Sequence, residues 1–523
     1  MNYHLLSRNL GIISLLFSGM MLFSLPWAHP SLGMRNHLDT SELSDTISNF
    51  ETRGFLALLS SSLIAAFIGG GLFWFGRDAR GEQLFRKEAM ATVGLSWVLA
   101  TVIGAMPFLL SNTKVAEGRP MTLVDALFEA QSGFSTTGAT VLTDLENPAL
   151  VPHCILFWRS STHFLGGLGI VVLLVAILGQ GAGGKAMMRA EITGPTKDSQ
   201  FSRMQKTASV FATIYVVLNL VLICIYWASS MSLFDAICHA FGTMATGGFS
   251  TYNASLGHFD NSWIEYVTIF FMILAGTNFA LLFFVSTGRY KLLFSNPEWR
   301  IFVGIIIGIS SLVAVFGLSY QDFAGVPEAV RDSLFQVVSI MTTTGYGTND
   351  YDRWNSFGRG VLLILMFIGG CAGSTSGGMK VIRHVLLVKI LRLELELSYR
   401  PRVIRPFRIG DQNLDEGLKK HILVYFGLVG AMFAGAWLLL ITIEPDTQWA
   451  ASATIDQKLI DCAGAIAATI HNIGPGYGAC GPTANYADFA PASKSLFVVL
   501  MMLGRLEMFS ILVLFAPSFW RRF

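Results

Sequence analysis

The sequence predicts an all-α integral membrane protein in which four similar units surround one pore. Three observations predict it. Of the 523 residues, 53% are apolar and 13% charged, where a soluble domain carries about 25% charged residues. Apolar stretches near the roughly 20 residues of a spanning helix recur along the chain, joined by connections that alternate between basic and non-basic. Finally, one spacing occurs four times: an aspartate is followed thirteen residues later by a glycine, as Asp125 with Gly138, Asp235 with Gly248, Asp332 with Gly345 and Asp461 with Gly474. Self-similarity of this kind marks a repeat architecture.

The elements follow in order. Ten spanning helices are expected, at about 10–27, 54–76, 89–110, 155–178, 208–229, 263–286, 301–319, 357–395, 421–443 and 493–516. Lys and Arg gather in the connections 77–88, 180–207, 287–300 and 380–420 and in the tail with Arg521 and Arg522. By the positive-inside rule these face the cytoplasm, as does the N-terminus with Arg8. All four Asp…Gly pairs fall in the other connections, on the outer side. Residues 1–28 are read as a retained helix, because Pro26 and Trp27 make a poor cleavage site. The units are then a hairpin (1–80) and four repeats, at 81–179, 180–287, 288–397 and 398–523.

Each repeat reads as helix, short re-entrant segment, helix. About three turns of helix fit between each aspartate and the pentapeptide holding its glycine. The aspartate is expected in the first turn, where an acid suits the positive end of the helix dipole. The negative end then points at a site for a cation. The glycine permits backbone angles that aim carbonyls at a common axis. Such backbone is tolerated at membrane depth only where it is buried in protein or lines a cavity. In the second repeat both Gly247 and Gly248 are present, and only Gly248 keeps the spacing. Four such segments on one side imply a four-part ion filter, since carbonyls in such filters replace the hydration shell of K+. The acids Asp144, Glu146, Asp235, Asp260, Asp350 and Asp352 are expected to line an outer vestibule that concentrates cations.

Other signals are weaker. IGGCAGSTSGGMK (368–380) should break the long helix of the third repeat, because each mid-helix glycine costs about 1 kcal/mol relative to Ala. A pore-blocking loop and a packing kink are equally compatible with that break. Arg505, a charge within the last span, is expected below the filter and in contact with 371–378. Arg159 and His163 read as structural. GQGAGGKA (179–186) follows a span rather than a strand and has Ala186 where a P-loop needs Ser or Thr. HExxH and GxSxG are absent, so protease and hydrolase chemistry has no support. The six cysteines form no metal spacing and read as isolated thiols.

Through STTGAT (135–140), ATGGFST (245–251), TTTGYGT (342–348) and HNIGPGYG (471–478), the chain resembles the Trk/Ktr/HKT superfamily of potassium transporters, most closely the bacterial Trk-type channel subunit. The resemblance covers nearly the whole chain, including the N-terminal hairpin. It implies four M1–P–M2 repeats around one K+-selective pore, with Gly138 favouring K+ over Na+. It implies filter residues Thr136, Thr137 and Gly138; Thr246, Gly247 and Gly248; Thr343, Thr344 and Gly345; and Asn472, Ile473 and Gly474. The fourth set departs most from the usual pattern, at Asn472 and Pro475. The resemblance also favours a gate at about 369–378, made of Gly373, Ser374, Thr375, Ser376, Gly377 and Gly378, with Arg505 as a barrier to ions. It further implies a bacterial inner-membrane location, a homodimer and a cytosolic nucleotide-binding regulatory ring that docks on the basic segment 391–408. The nucleotide would sit on that partner, and no covalently bound cofactor or nucleic acid is implied. A less selective K+/Na+ channel, a coupled symporter, and a receptor or scaffold with a degenerate pore are the alternatives.

Overall fold

The computed structural model describes residues 1–29, 32, 50–79, 85–169, 204–401, 408–409, 412–413, 416–446, 449, 455–505 and 511–520. The chain starts with α1 (Tyr3–Ser24) and α2 (Thr52–Phe75), packed along each other. Small residues make that contact. Ser14 Oγ donates to Ala65 O at 2.6 Å and Ser18 Oγ lies 2.9 Å from Ser62 Oγ. A Cβ on Gly69 would lie 2.9 Å from Gly11 O, so the backbones touch where side chains would not fit.

Four sets of helices follow. The first is α3 (Arg86–Leu110), α4 (Leu123–Phe134) and α5 (His153–Leu168), with a small hairpin of β1 (Lys114–Ala116) and β2 (Arg119–Pro120) after α3. The second is α6 (Met204–Ala228), α7 (Leu233–Ala245), α8 (Ser262–Ala275) and α9 (Phe279–Ser286). The third is α10 (Lys291–Ser295), α11 (Pro297–Ser319), α12 (Val326–Met341), α13 (Ser356–Leu365) and α14 (Val381–Tyr399). The last is α15 (Glu416–Ile443), α16 (Ile455–Ile470) and α17 (Pro491–Arg505). The short helices α4, α7, α12 and α16 are the most deeply buried parts. The apolar core forms around them, and lipid-type exposure of Phe67, Trp74, Phe270 and Ile307 lies on the outer helices.

Among the described residues, six helices are long and apolar enough to cross a membrane, or seven if the bent pair α8 and α9 is one span. Ten were expected, and the difference has local causes. The 155–178 and 493–516 spans run into 170–203 and 506–510, outside the described residues. The 357–395 span is interrupted from 366 to 380, close to the expected break at 368–380. The 263–286 span, expected to be continuous, bends by 105° between α8 and α9. There Gly276 and Thr277 end one helix and Asn278 caps the next, its side chain accepting from Ala280 N at 2.8 Å.

Candidate functional site

Each of α4, α7, α12 and α16 ends in the same turn. The residue after the cap lies in the left-handed region: Thr136 (φ 52°), Thr246 (φ 55°), Thr343 (φ 57°) and Asn472 (φ 56°). Its N–H bonds back three residues, to Gly133, Thr243, Ile340 and Thr469, and the next N–H bonds back five, to Ser132, Gly242, Ser339 and Ala468. This is the Schellman arrangement, which satisfies the last carbonyls of a helix. Asn472, the apparent departure in the fourth pentapeptide, is the residue best suited to that conformation. The three β-branched threonines hold it against a steric cost.

Two residues on, Gly138, Gly248, Gly345 and Gly474 again have positive φ, between 75° and 102°. A Cβ on Gly138 would overlap Gly247 O, one on Gly248 would overlap Thr344 O, and one on Gly345 would overlap Ile473 O. A Cβ on Gly474 would lie 2.6 Å from Thr137 O. Each glycine therefore abuts the carbonyl that precedes the next glycine, and the four contacts close a ring. Thr136, Thr137, Thr246, Gly247, Thr343, Thr344, Asn472 and Ile473 are all buried. Among the described residues, no backbone N–H bonds to their carbonyl oxygens, and the His163 ring lies against Gly247. Buried carbonyls are ordinarily paired within the backbone, so a closed set of eight without backbone partners, at the negative ends of four helices, is an arrangement suited to a dehydrated cation.

The four aspartates act on this ring from behind. Asp125 and Asp235 are the third residues of α4 and α7, and Asp125 completes a capping box with Thr122. Asp332 and Asp461 correct the first-turn expectation: α12 and α16 begin earlier, at Val326 and Ile455, which puts both in the second turn. All four are buried and bonded. Asp235 accepts from Thr251 Oγ1 (2.6 Å) and Tyr252 O–H (3.1 Å), Asp332 from Asn349 Nδ2 (2.8 Å), and Asp461 from Ala479 N–H (3.1 Å) and Trp449 Nε1 (2.9 Å). Each of those three grips the limb that leaves its own turn. Asp125 instead pairs with Lys494 of α17 at 2.6 Å. Asp235 is thus no vestibule acid. Asp144 and Glu146 hold Asn253 across the outer face at 2.9 and 3.0 Å.

The braces differ between the two halves of the ring. Behind the first two turns, Arg159 donates to Glu129 Oε1 at 2.6 Å and to Ser250 O at 2.9 Å. Glu129 also accepts from Thr140 Oγ1 and Val141 N–H, and the Arg159 guanidinium lies 3.5 Å from the Phe249 ring centroid. His163 is bonded through Nδ1 to Gly133 O, while its Nε2 accepts from Phe249 N–H at 3.1 Å. Behind the other two, neutral tyrosines do this: Tyr351 O–H donates to Gly476 O (2.7 Å) and Tyr486 O–H to Gly474 O (2.8 Å).

The 366–380 segment lies against the inner side of the ring. Gly377 N–H donates to Thr343 Oγ1 at 2.6 Å, and a Cβ on Gly377 would lie 2.9 Å from Asn472 Cβ. Gly373 (φ 73°) accepts from Phe279 N–H at 3.0 Å, Thr375 N–H reaches Ala275 O at 3.2 Å, and Ser374 Oγ bonds Cys371 O. Gly378 (φ 64°) has His471 O 3.3 Å from where its Cβ would stand. Arg505 donates to Thr375 O at 2.6 Å and to Gly166 O at 2.8 Å, which brings it into the contact expected of it. A second cation, the buried Lys380, donates to Ser376 O.

Glu129, Lys380, Lys494 and Glu298 were not identified from the sequence as site residues. For Glu129 and Lys494 the one available signal was charge next to apolar stretches, and Glu298 and Lys380 had none.

Comparisons with known proteins place the chain in a family. The family model described as TrkH, cation transport protein, matches residues 59–522. The chain is 35% identical over 527 residues to the Trk system potassium uptake protein TrkH of Escherichia coli K12, covering 100% of both. It is 36% identical to the protein of that name from Vibrio parahaemolyticus, over 86% of this chain and 90% of the other. The crystal structure of the potassium transporter TrkH from Vibrio parahaemolyticus superposes with a TM-score of 0.81, at 31% identity and full coverage of both chains.

Proposed function

The chain belongs to the TrkH family of cation transport proteins and is a Trk-type K+ transporter, not an enzyme; on that premise we propose that K+ enters the cell through the ring at Gly138, Gly248, Gly345 and Gly474. The single observation that carries this reading is the closed ring of eight buried carbonyls that no backbone N–H among the described residues reaches. A K+ ion sheds water on entry, and these oxygens replace its shell. The four helix ends add negative potential at the same place. The four sets of helices are then repeats around one pore.

Below the ring, the 366–380 segment acts as the gate. Its bonds to Thr343 and to the α8–α9 bend hold it across the exit, and Arg505 and Lys380 add positive charge in the path of a cation. Opening requires this segment to move aside. A cytosolic nucleotide-binding ring would supply the regulation, with both termini cytoplasmic in the inner membrane and two copies of the chain in the assembly.

The test is uptake of 86Rb+ into liposomes holding the full chain, with Na+ as competitor and Gly345→Ser in parallel. Uptake that Na+ barely inhibits, and that the variant loses or opens to Na+, is expected. Uptake that depends on a second ion would replace the channel with a coupled symporter. Wild-type ion binding without flux, unaltered by Gly345→Ser, would point to a receptor and overturn the reading.

A further inference from the structure

Between residues 285 and 300 only one side chain is buried, and it is a carboxylate, Glu298. It is the second residue of α11, a place where an acid ordinarily serves the helix end. That end is already served: Asn296 caps it, accepting from Trp299 N–H at 3.0 Å, and Pro297 opens the first turn. The Glu298 carboxylate instead turns into the protein. Its Oε1 accepts from Ala372 N–H at 2.7 Å and from Ile382 N–H at 3.2 Å.

These two amides bracket the glycine-rich segment. Ala372 immediately precedes Gly373, and Ile382 is in the first turn of α14, whose own cap residue, Lys380, makes no capping bond. Ten residues of chain could extend for roughly 33 Å, yet both ends meet at one oxygen atom. A charge-assisted bond is about twice as strong as a neutral one, and the site is buried, so water does not compete. We propose that Glu298 is a positioning residue that latches both ends of the 373–378 loop and thereby keeps it under the ring. This inference rests on reading that loop as the gate. Its mechanical consequence is that displacement of the exposed stretch 285–297 reaches the loop through one carboxylate.

The experiment is 86Rb+ uptake by the full chain in liposomes without any partner, for wild type, Glu298→Gln and Glu298→Ala. Hydrogen exchange of the 371–382 amides is measured on the same samples. The expected result is faster exchange in 371–382, unchanged exchange in 136–138, and basal uptake raised about fivefold or more in Glu298→Ala. Glu298→Gln, which keeps an acceptor but not the charge, should fall between, and preference for K+ over Na+ should stay as in wild type. Unchanged protection of 371–382 in Glu298→Gln would overturn the latch, and this conservative variant decides the matter if Glu298→Ala does not fold. Faster exchange with unchanged uptake would leave the contact real and overturn the gate reading on which the latch depends. Wild-type uptake that Gly345→Ser leaves untouched would instead overturn the ring.

Discussion

The ring and the segment beneath it follow opposite rules. Above, four helices end in one turn repeated to the level of individual hydrogen bonds. Below, the following helices differ: α8 and α9 meet at 105°, α13 and α14 are separated by fifteen residues, and α17 carries a half-buried arginine. The ring is constrained by contact with itself, since each glycine is the floor for its neighbour's carbonyl. The lower segment is constrained by unlike partners drawn from the second, third and fourth sets of helices. On the proposed reading, the symmetric part presents equal oxygens to an ion and the asymmetric part closes the path.

The largest expected effect tests the first half of that contrast. Alanine at the four ring glycines should reduce 86Rb+ uptake in the order of the overlap a Cβ creates, greatest at Gly345 and least at Gly474. Gly345→Ala should lower uptake at least tenfold, because the clash is with backbone and the positive φ adds roughly 1–2 kcal/mol. Gly373→Ala in the lower segment carries the same positive-φ cost (φ 73°), but its Cβ would meet the Asn278 side chain, at 3.2 Å, which can move. It should alter uptake far less. Equal losses at Gly373 and Gly345 would erase the distinction between the two regions.

A middle-sized effect separates the two halves of the ring itself. Removing one member of the buried Arg159–Glu129 pair strands the other charge, which typically costs about 3–5 kcal/mol. Removing Tyr351 O–H takes away one neutral bond, worth about 1 kcal/mol. Thermal unfolding should therefore drop several times further for Glu129→Gln than for Tyr351→Phe. The Glu129→Gln/Arg159→Met double variant should recover part of that loss. Strict additivity of the two single losses would show that the pair is not coupled.

How far the sequence can be read divides along the same line. The Asp-to-Gly spacing recurs because backbone geometry recurs, so the four ring glycines are legible in that spacing alone, whereas the residues before them came from the family resemblance. The turn two residues earlier is not, since Thr136, Thr246 and Thr343 are β-branched and disfavour positive φ. For the same reason Asn472 reads as the exception when it is the easiest residue there. Five glycines announce the break near 373, whereas a single Gly276 hides the bend after α8. The long-range partners are invisible in the sequence. Lys494 and Asp125 are 369 residues apart, and nothing local to Glu298 distinguishes it from an ordinary acid at a helix start.

The smallest effect lies farthest from the ion path. Asp352, in the outer connection after the third turn, accepts from Gly478 N–H at 2.9 Å, and its other oxygen is buried without a hydrogen-bond partner among the described residues. Burial pushes its pKa from 3.8 up to about 6, against the opposing pull of Gly478 N–H and Arg359. A raised carboxyl pKa means the folded state binds the proton more tightly than the unfolded state does. The stability from this group is complete below about pH 3.8 and is lost as pH rises through about 6. Wild type minus Asp352→Asn, compared by thermal unfolding from pH 7.5 to 5, should show the wild type gaining as pH falls. K+ preference should not change, because Asp352 ties the outer limbs of the third and fourth turns without touching a ring carbonyl. A difference of opposite slope would mean that the ionised carboxylate is the stabilised form, and that this outer brace is an ion pair like the one behind the first two turns.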